Sequence, residues 1–170
     1  IWIVADDVYA RLYQHGSLAP GFQHLASADD LLISINSFSK AWSMTGWRLG
    51  WITAPAAHEK TLAHLTEFNI ACPAGFIQEA GLAMIEHGEG EISLLQHRLR
   101  KALTLTRTRL KHFEDLSFIE PDGAFYCFFS VRGLTDSLAF AHALLEQTKV
   151  GLAPGLAFGP AGGGYLRLCY

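Results

Sequence analysis

The sequence has few cysteines, and they form no pattern typical of disulfide pairing or metal binding. Its three cysteines, Cys72, Cys127 and Cys169, are far apart and odd in number, with no C-x-x-C pair. We therefore expect reduced, mostly buried thiols and a cytoplasmic location. The eight histidines are dispersed without the spacing of metal ligands, so we predict no metal site.

The chain also lacks a large excess of charge and any long hydrophobic run. The net charge is −3 and both signs are scattered, so we expect no binding to nucleic acid or to an anionic membrane. No apolar run approaches the length of a membrane span, and the first residues lack the basic start and cleavage site of an export signal. Half of the 170 residues are apolar, enough to bury a sizeable core.

The first part of the chain has the pattern of an α/β unit. Apolar runs at residues 1–5, 31–35 and 47–53 predict three strands, and we expect the first two to be buried on both faces. Helical patterns follow from residue 55 and over residues 78–85.

A long helix predicted over residues 89–114 is sufficient to connect two domains. After it, residues 124–131, 151–154 and 165–170 predict extended segments. A helix over residues 138–147 follows Thr135 and Asp136, either of which can cap it. The pattern therefore predicts one α/β domain over residues 1–100 and a smaller α+β domain over residues 101–170.

A lysine and an arginine follow the second predicted strand. Burial where a strand ends would lower the pKa of the Lys40 amine and favour the free nucleophile. Arg48 lies between Gly46 and Gly50, and guanidinium and hydroxyl groups both bind phosphate oxygens. A nucleophilic lysine beside a phosphate-binding group suits a phosphorylated aldehyde cofactor. The alternative is a surface lysine and an arginine in an ion pair.

Charged and aromatic residues stand at two other places. Asp6, Asp7 and Tyr9 follow the first predicted strand, at the end where open α/β sheets bind ligands. The alternative for the two aspartates is a helix cap or a turn. Arg167 alternates with Leu166 and Leu168, so it leaves its strand on the opposite face and needs an anionic partner. That partner is either a ligand or an internal carboxylate.

These segments together resemble the class I/II pyridoxal-phosphate aminotransferases, over nearly the whole chain and in the family's order. The similar stretches are Ala5-Asp-Asp-Val-Tyr9, with Asp7 in place of the usual glutamate, Ser37-x-Ser39-Lys40, Gly46-x-Arg48-x-Gly50, and Pro154-Gly155-x-x-Phe158-Gly159 followed by Gly164-Tyr-Leu-Arg167. Pro121-Asp-Gly-Ala-Phe-Tyr126 matches a further stretch, to which we assign a shaping role.

The resemblance implies a fold-type-I transferase that uses pyridoxal 5'-phosphate. Lys40 would hold the cofactor as a Schiff base, and Asp6 would pair with the pyridine nitrogen and keep it protonated. Tyr9 would bind the phenolic oxygen. Ser37 and Arg48 would bind the phosphate, with Ser39 as a helper.

The implied reaction moves an amino group between an amino acid and a 2-keto acid, whose carboxylate Arg167 would bind through two hydrogen bonds. The implied assembly is a homodimer. Residues 1–100 would then be the C-terminal part of a large cofactor-binding domain and residues 101–170 an incomplete small domain. We expect a longer parent protein, because the stretch with the family's glycine-containing phosphate loop is not in this sequence.

Two other functions share these features. A carbon–sulfur lyase on the same scaffold would use the same lysine chemistry, and product analysis would separate it from an aminotransferase. The same fold also serves as the effector-sensing domain of transcription regulators. A DNA-binding segment in the parent would favour that function.

Overall fold

A three-stranded mixed sheet begins the fold. In the computed structural model, which describes residues 1–170, β1 (Ile3–Asp6) is parallel to β2 (Leu32–Ser37), and β3 (Gly50–Thr53) is antiparallel to β2. The sheet belongs to the first of two units, Ile1–Gln96, and the second is His97–Tyr170. The third strand begins later than predicted, because Thr45–Trp47 forms a 3-10 helix.

The expected burial of the first strand on both faces is wrong. Ala5 is buried, whereas Ile3 and Val4 expose 41% and 63% of their surface. β1 is an edge strand whose one neighbour is β2. Burial of its side chains depends on elements packed against the faces of the sheet, and the exposure of Ile3 and Val4 shows that the run is not covered on both faces. In β2, Ser34 is fully buried but Ile35 is exposed, so that strand is not buried on both faces either.

Four helices lie between β2 and the second sheet, and the three helical segments predicted there are confirmed with shifted ends. They are α1 (Phe38–Ala41), α2 (Glu59–Ile70), α3 (Gly75–His87) and α4 (Glu89–Leu110). The short 3-10 helix Ala56–His58 precedes α2. α4 ends four residues before the predicted end. None of the helices combines the length and the hydrophobicity of a membrane-spanning segment.

The second unit is a four-stranded antiparallel sheet with one helix. Its elements are β4 (Leu116–Phe118), β5 (Tyr126–Val131), α5 (Ser137–Thr148), β6 (Ala153–Pro154) and β7 (Tyr165–Cys169), in the strand order β4-β5-β7-β6. Asp136 is the N-cap of α5, because its carboxylate accepts hydrogen bonds from the amides of Leu138 and Ala139. Cys127, Phe129, Ala141 and Leu166 form the core of this unit.

The expectation of mostly buried cysteines is wrong for two of the three. Cys127 lies in the core, where burial raises the pKa of its thiol. Cys72 and Cys169 are exposed. Strand alternation explains Cys169, since it leaves β7 on the face opposite Leu168. Burial also raises the pKa of the neighbouring Tyr170 hydroxyl to about 12.

Candidate active site

The lysine of the predicted site stands on a short helix that begins directly where β2 ends. Ser37 is the last residue of β2 and the N-cap of α1, and its hydroxyl oxygen accepts a hydrogen bond from the Ser39 amide at 3.1 Å. This cap turns the chain from the extended to the helical conformation within one residue. Lys40 then lies in the middle of α1, half-buried, while Ser39 is buried.

The loop after α1 folds back on the same serine. The Ser37 hydroxyl donates to the carbonyl oxygen of Leu49, the residue that follows Arg48 in the chain, at 3.2 Å. That carbonyl oxygen also accepts from the Phe38 amide at 3.1 Å. It therefore keeps a partner if the Ser37 hydroxyl turns to donate to another acceptor, such as a phosphate oxygen.

Arg48 is an exposed cation with no carboxylate partner. Its backbone is left-handed, with φ 53°, and one guanidinium nitrogen donates to the Thr45 carbonyl oxygen at 3.0 Å. A guanidinium has five N–H groups, so most of its donors are available to an anion. The alternative of an arginine in an ion pair with a protein carboxylate is therefore not what the structure shows.

Gly50 and Gly81 let the lysine segment pack closely against its neighbours. A Cβ atom at Gly50 would lie 2.5 Å from the Asn36 carbonyl oxygen, on the adjacent strand β2. A Cβ atom at Gly81, on α3, would lie 2.4 Å from the Leu49 side chain and 3.3 Å from the Phe38 ring. α3 therefore supports α1 and the loop from behind, with Phe38 and Leu49 in a shared core.

Asp6 and Tyr9 lie at the same end of the sheet as the lysine. Asp6 is the last residue of β1 and pairs with Ile35 of the parallel strand β2, so the carboxyl ends of the two strands lie at the same end of the sheet. The Lys40 amine is 5.6 Å from the centre of the Tyr9 ring, so the turn after β1 and the helix after β2 meet. Carboxyl ends of parallel strands are where open sheets bind ligands.

The two adjacent aspartates have different partners. The Asp6 carboxylate is exposed and accepts a hydrogen bond from the Val8 amide at 3.3 Å, which is the contact of a local turn. The Asp7 carboxylate accepts from the hydroxyl of Ser34, which is fully buried in β2 and also accepts from the Asn36 side-chain amide. Asp7 therefore ties β1 to β2, and Asp6 is left facing solvent.

Arg167 belongs to the second unit and lies on the exposed face of its sheet. It stands in β7 directly opposite Phe128 of β5, while Leu166 on the other face is buried. Its guanidinium carbon is 4.2 Å from the centre of the Tyr126 ring and 4.4 Å from that of Phe158. No carboxylate of this unit forms an ion pair with it, so the alternative of an internal ion pair is not observed.

Sequence reasoning missed two features of these sites. It did not find the contact between Asp7 and Ser34, although the polar Ser34 inside an apolar strand was a signal that a buried partner exists. It also treated the Tyr126 stretch and Phe158 as parts of motifs only. Their contact with Arg167 depends on the register of β5 and β7 and on the 3-10 helix Gly155–Phe158, which pattern alone does not specify.

Comparison with known proteins supports the resemblance seen in the sequence. The family model for aminotransferase class I and II matches residues 1–170. A probable N-acetyl-LL-diaminopimelate aminotransferase of Bacillus subtilis is 33% identical over 100% of this chain and 42% of its own length. An aspartate aminotransferase of Pyrococcus horikoshii is 33% identical, over 100% of this chain and 44% of its own.

Solved structures show the same fold. An aspartate aminotransferase from Thermotoga maritima has a TM-score of 0.89 at 32% identity, over 100% of this chain and 43% of its own. An aromatic aminotransferase from Pyrococcus horikoshii has a TM-score of 0.91 at 32% identity, and the match covers 100% of this chain and 46% of that protein's chain. The chain thus spans less than half the length of these relatives, and the expected fold-type-I architecture is confirmed for the part it covers. By the match over its whole length, the chain belongs to the class I and II aminotransferase family.

Proposed function

We propose that the parent protein is a pyridoxal-phosphate-dependent aminotransferase that moves an amino group between an amino acid and a 2-keto acid. The observation that carries the proposal is the meeting of the Lys40 amine and the Tyr9 ring at 5.6 Å, at the edge where β1 and β2 end. The similar proteins carry aminotransferase names, and no residue of this chain favours the lyase or the regulator over that activity.

The residues at this edge fit a phosphorylated pyridine aldehyde. Arg48 offers a guanidinium that has no carboxylate partner, and the Ser37 hydroxyl can turn toward an anion while its present acceptor, the Leu49 carbonyl, keeps the Phe38 amide. A guanidinium cation and a hydroxyl are both suitable groups for binding phosphate. We assign both to the phosphate, with Ser39 as a supporting residue.

Pyridoxal phosphate, when bound, supplies an aldehyde that forms a covalent bond with an amine and a ring that withdraws electrons from the substrate α-carbon. The chain's own groups do the remaining work. Lys40 provides the amine, and as general base and acid it would take the proton from the substrate α-carbon and deliver it to the former aldehyde carbon of the cofactor, a contribution of about 10²–10⁴-fold in rate. Tyr9 would donate a hydrogen bond to the phenolic oxygen.

Asp6 has the exposed carboxylate of the aspartate pair, and we assign it to the pyridine nitrogen. A carboxylate there stabilises the protonated ring, which withdraws electrons more strongly than the neutral ring. The hydrogen bond that it accepts from the Val8 amide at 3.3 Å leaves further acceptor capacity for an N–H of the cofactor.

Arg167 would bind the carboxylate that all amino acids and 2-keto acids carry. It has no anionic partner within its unit, and two parallel hydrogen bonds from a guanidinium suit a carboxylate. We further propose that residues 1–100 are the C-terminal part of a large cofactor-binding domain and residues 101–170 part of a small domain. A cytoplasmic homodimer is proposed on the family resemblance.

The test of this function is the covalent attachment of the cofactor in the full-length parent. Borohydride reduction followed by peptide mapping should find the pyridoxyl group on Lys40. Lys40→Ala should lose this labelling and nearly all transamination, about 10²-fold or more, because the variant lacks the group that moves the proton. Product analysis should find a keto acid and an aminated cofactor.

Lys60→Ala is the matched control, since Lys60 lies on α2 and has no place in the proposed site. This variant should keep both labelling and turnover. Labelling of Lys60, Lys101, Lys111 or Lys149 in the parent would contradict the assignment of Lys40. Release of ammonia with pyruvate in place of a keto acid and aminated cofactor would indicate a lyase.

A further inference from the structure

The Arg167 guanidinium lies between two aromatic rings. Its central carbon is 4.2 Å from the Tyr126 ring centre and 4.4 Å from the Phe158 ring centre. Both distances are well inside the roughly 6 Å range in which a cation is attracted to an aromatic ring. Two such contacts on one arginine are more than is needed to fill an exposed sheet face.

The fold brings the two rings to Arg167 from different elements. Tyr126 opens β5, and because Phe128 pairs with Arg167 across the antiparallel strands, alternation places Tyr126 and Arg167 on the same face. Phe158 comes from the 3-10 helix that follows β6, the strand on the other side of β7. One ring thus contacts the arginine from the strand β5 on one side of β7, and the other from the 3-10 helix that follows β6 on the other side.

Two rings restrict the guanidinium without using its hydrogen-bond donors. An arginine side chain loses rotamer entropy when it binds a carboxylate, and a guanidinium already held in one plane loses less. The rings also exclude water from part of its surface, which raises the free-energy cost of leaving the cation without an anion. No carboxylate of the unit forms an ion pair with Arg167.

We propose that Tyr126 and Phe158 are positioning residues, which orient the Arg167 guanidinium so that its N–H edge meets the substrate carboxylate. This inference deepens the proposed function and rests on it for the identity of the ligand. It predicts that the aromatic character of both positions contributes to carboxylate affinity, although neither ring touches the reacting atoms.

The competing explanation is that the rings serve only to pack the face of the sheet. Tyr165 provides the comparison. Its ring stacks on Phe128 at 5.0 Å, and Phe128 meets the Phe158 ring edge-on at 5.8 Å, so Tyr165 belongs to the same cluster of rings. The cation–ring contacts of Arg167 are with Tyr126 and Phe158. Tyr165 is 38% exposed and Phe158 is 51% exposed, so the two side chains have similar environments. A packing role would make both equally important.

The experiment uses the full-length parent and calorimetric binding of two probes, 3-phenylpropanoate and its carboxamide. Phe158→Leu should raise the dissociation constant of the acid about twofold to thirtyfold, the range that corresponds to one lost guanidinium–ring contact. Phe158→Tyr, which keeps the ring, and Tyr165→Leu should bind the acid as the wild type does. The amide should bind equally to all four proteins.

Kinetics gives a second reading of the same variants. Phe158→Leu should raise KM for the amino acid and the keto acid by a similar factor and change kcat less than about twofold, because the contact acts on binding. Tyr126→Leu should behave like Phe158→Leu, and Tyr126→Phe like the wild type.

Four outcomes would overturn the proposal. The first two concern Phe158→Leu: its affinity for the acid is unchanged, or its affinities for the acid and the amide fall equally. The other two are that Tyr165→Leu loses as much affinity for the acid as Phe158→Leu does, or that the wild type binds the acid and the amide equally well. Failure of the proposed function has a different result. In that case the parent would transaminate no amino acid, while the acid would still bind with the predicted dependence on Phe158.

Discussion

Asp6 and Asp7 are neighbours in the chain, yet their side chains have opposite surroundings. The Asp6 carboxylate is exposed, and its hydrogen-bond partner is a backbone amide in its own turn. The Asp7 carboxylate accepts from the fully buried Ser34 hydroxyl on the adjacent strand. Because strand alternation separates the two side chains, one aspartate can serve a ligand while the other stabilises the sheet.

Replacement of Asp6 by asparagine should impair chemistry more than binding. The variant keeps the size of the side chain but removes the charge that stabilises a protonated pyridine nitrogen. In the full-length parent we expect deuterium exchange at the substrate α-carbon to slow by about 10²-fold or more, as on removal of other preorganised electrostatic contacts. Cofactor affinity should change much less. Unchanged exchange would exclude Asp6 from this role.

The matched control is Asp7→Asn. It removes a charged acceptor from the buried Ser34 hydroxyl, so we expect the free energy of unfolding to fall by about 1 kcal/mol. Its effect on α-carbon exchange should be much smaller than that of Asp6→Asn. A larger effect on exchange at Asp7 would reverse the roles that we assign to the two residues.

At the scale of elements, the antiparallel pairing of β2 and β3 fixes both ends of the segment that carries Arg48. Gly50 pairs with Ser37 in the register of these strands, and its missing side chain lets the Asn36 carbonyl approach. Gly50→Ala would place a Cβ atom 2.5 Å from that oxygen. We therefore expect the free energy of unfolding of the parent to fall by about 1–3 kcal/mol in urea denaturation, the usual cost of overpacking.

Gly46→Ala is the control for this substitution. Gly46 lies in the same loop, but a Cβ atom there would have no neighbour within 4 Å. The change should alter the free energy of unfolding by about 0.5 kcal/mol or less, as surface substitutions usually do. Equal destabilisation by the two variants would mean that both glycines are required for loop flexibility and that the contact with Asn36 is not the cause.

Elements with strong local signals were predictable from the sequence. Thr135 or Asp136 before an apolar helical pattern predicted α5 and a cap, and the structure shows that Asp136 is the cap. The predicted start of α4 agrees with the structure to the residue. The turn around Arg48 was not predictable in detail, because the left-handed conformation of a non-glycine residue depends on the tertiary contacts of its neighbours. Burial of β1 was mispredicted. A run of apolar residues indicates that burial would be favourable, but it does not show that another element packs against the strand.

The candidate site was predictable to a similar extent. The order of Asp6, Tyr9, Lys40, Arg48 and Arg167 followed from motifs, and the structure brings Tyr9 and Lys40 together at one edge of the sheet. The contacts of the Tyr126 and Phe158 rings with Arg167 did not follow from the motifs that contain these residues. They arise from strand register and from a 3-10 helix, both of which depend on contacts distant in sequence.

At the scale of the whole molecule, the chain leaves much apolar surface open. Exposed large side chains occur on the edge strand, on the helices and in loops; examples are Ile1, Val4, Leu25, Phe68, Phe76 and Ile119, each more than half exposed. Apolar patches of this kind, and an unpaired strand edge, favour association with other chains. The chain also covers less than half of the length of its relatives.

The chain of residues 1–170, produced alone, should therefore associate or aggregate and bind pyridoxal phosphate weakly at best. Sedimentation velocity and a cofactor titration followed by absorbance would measure both properties.

Val4→Lys is the informative variant, because Val4 is 63% exposed on β1 and a lysine on an edge strand opposes pairing with another chain. It should shift the chain toward smaller species, whereas Lys60→Ala, on α2, should not. A wild-type chain that remains a dissolved monomer, unfolds cooperatively and saturates with the cofactor at Lys40 would contradict this prediction, since it would show that these residues form a self-sufficient binding domain.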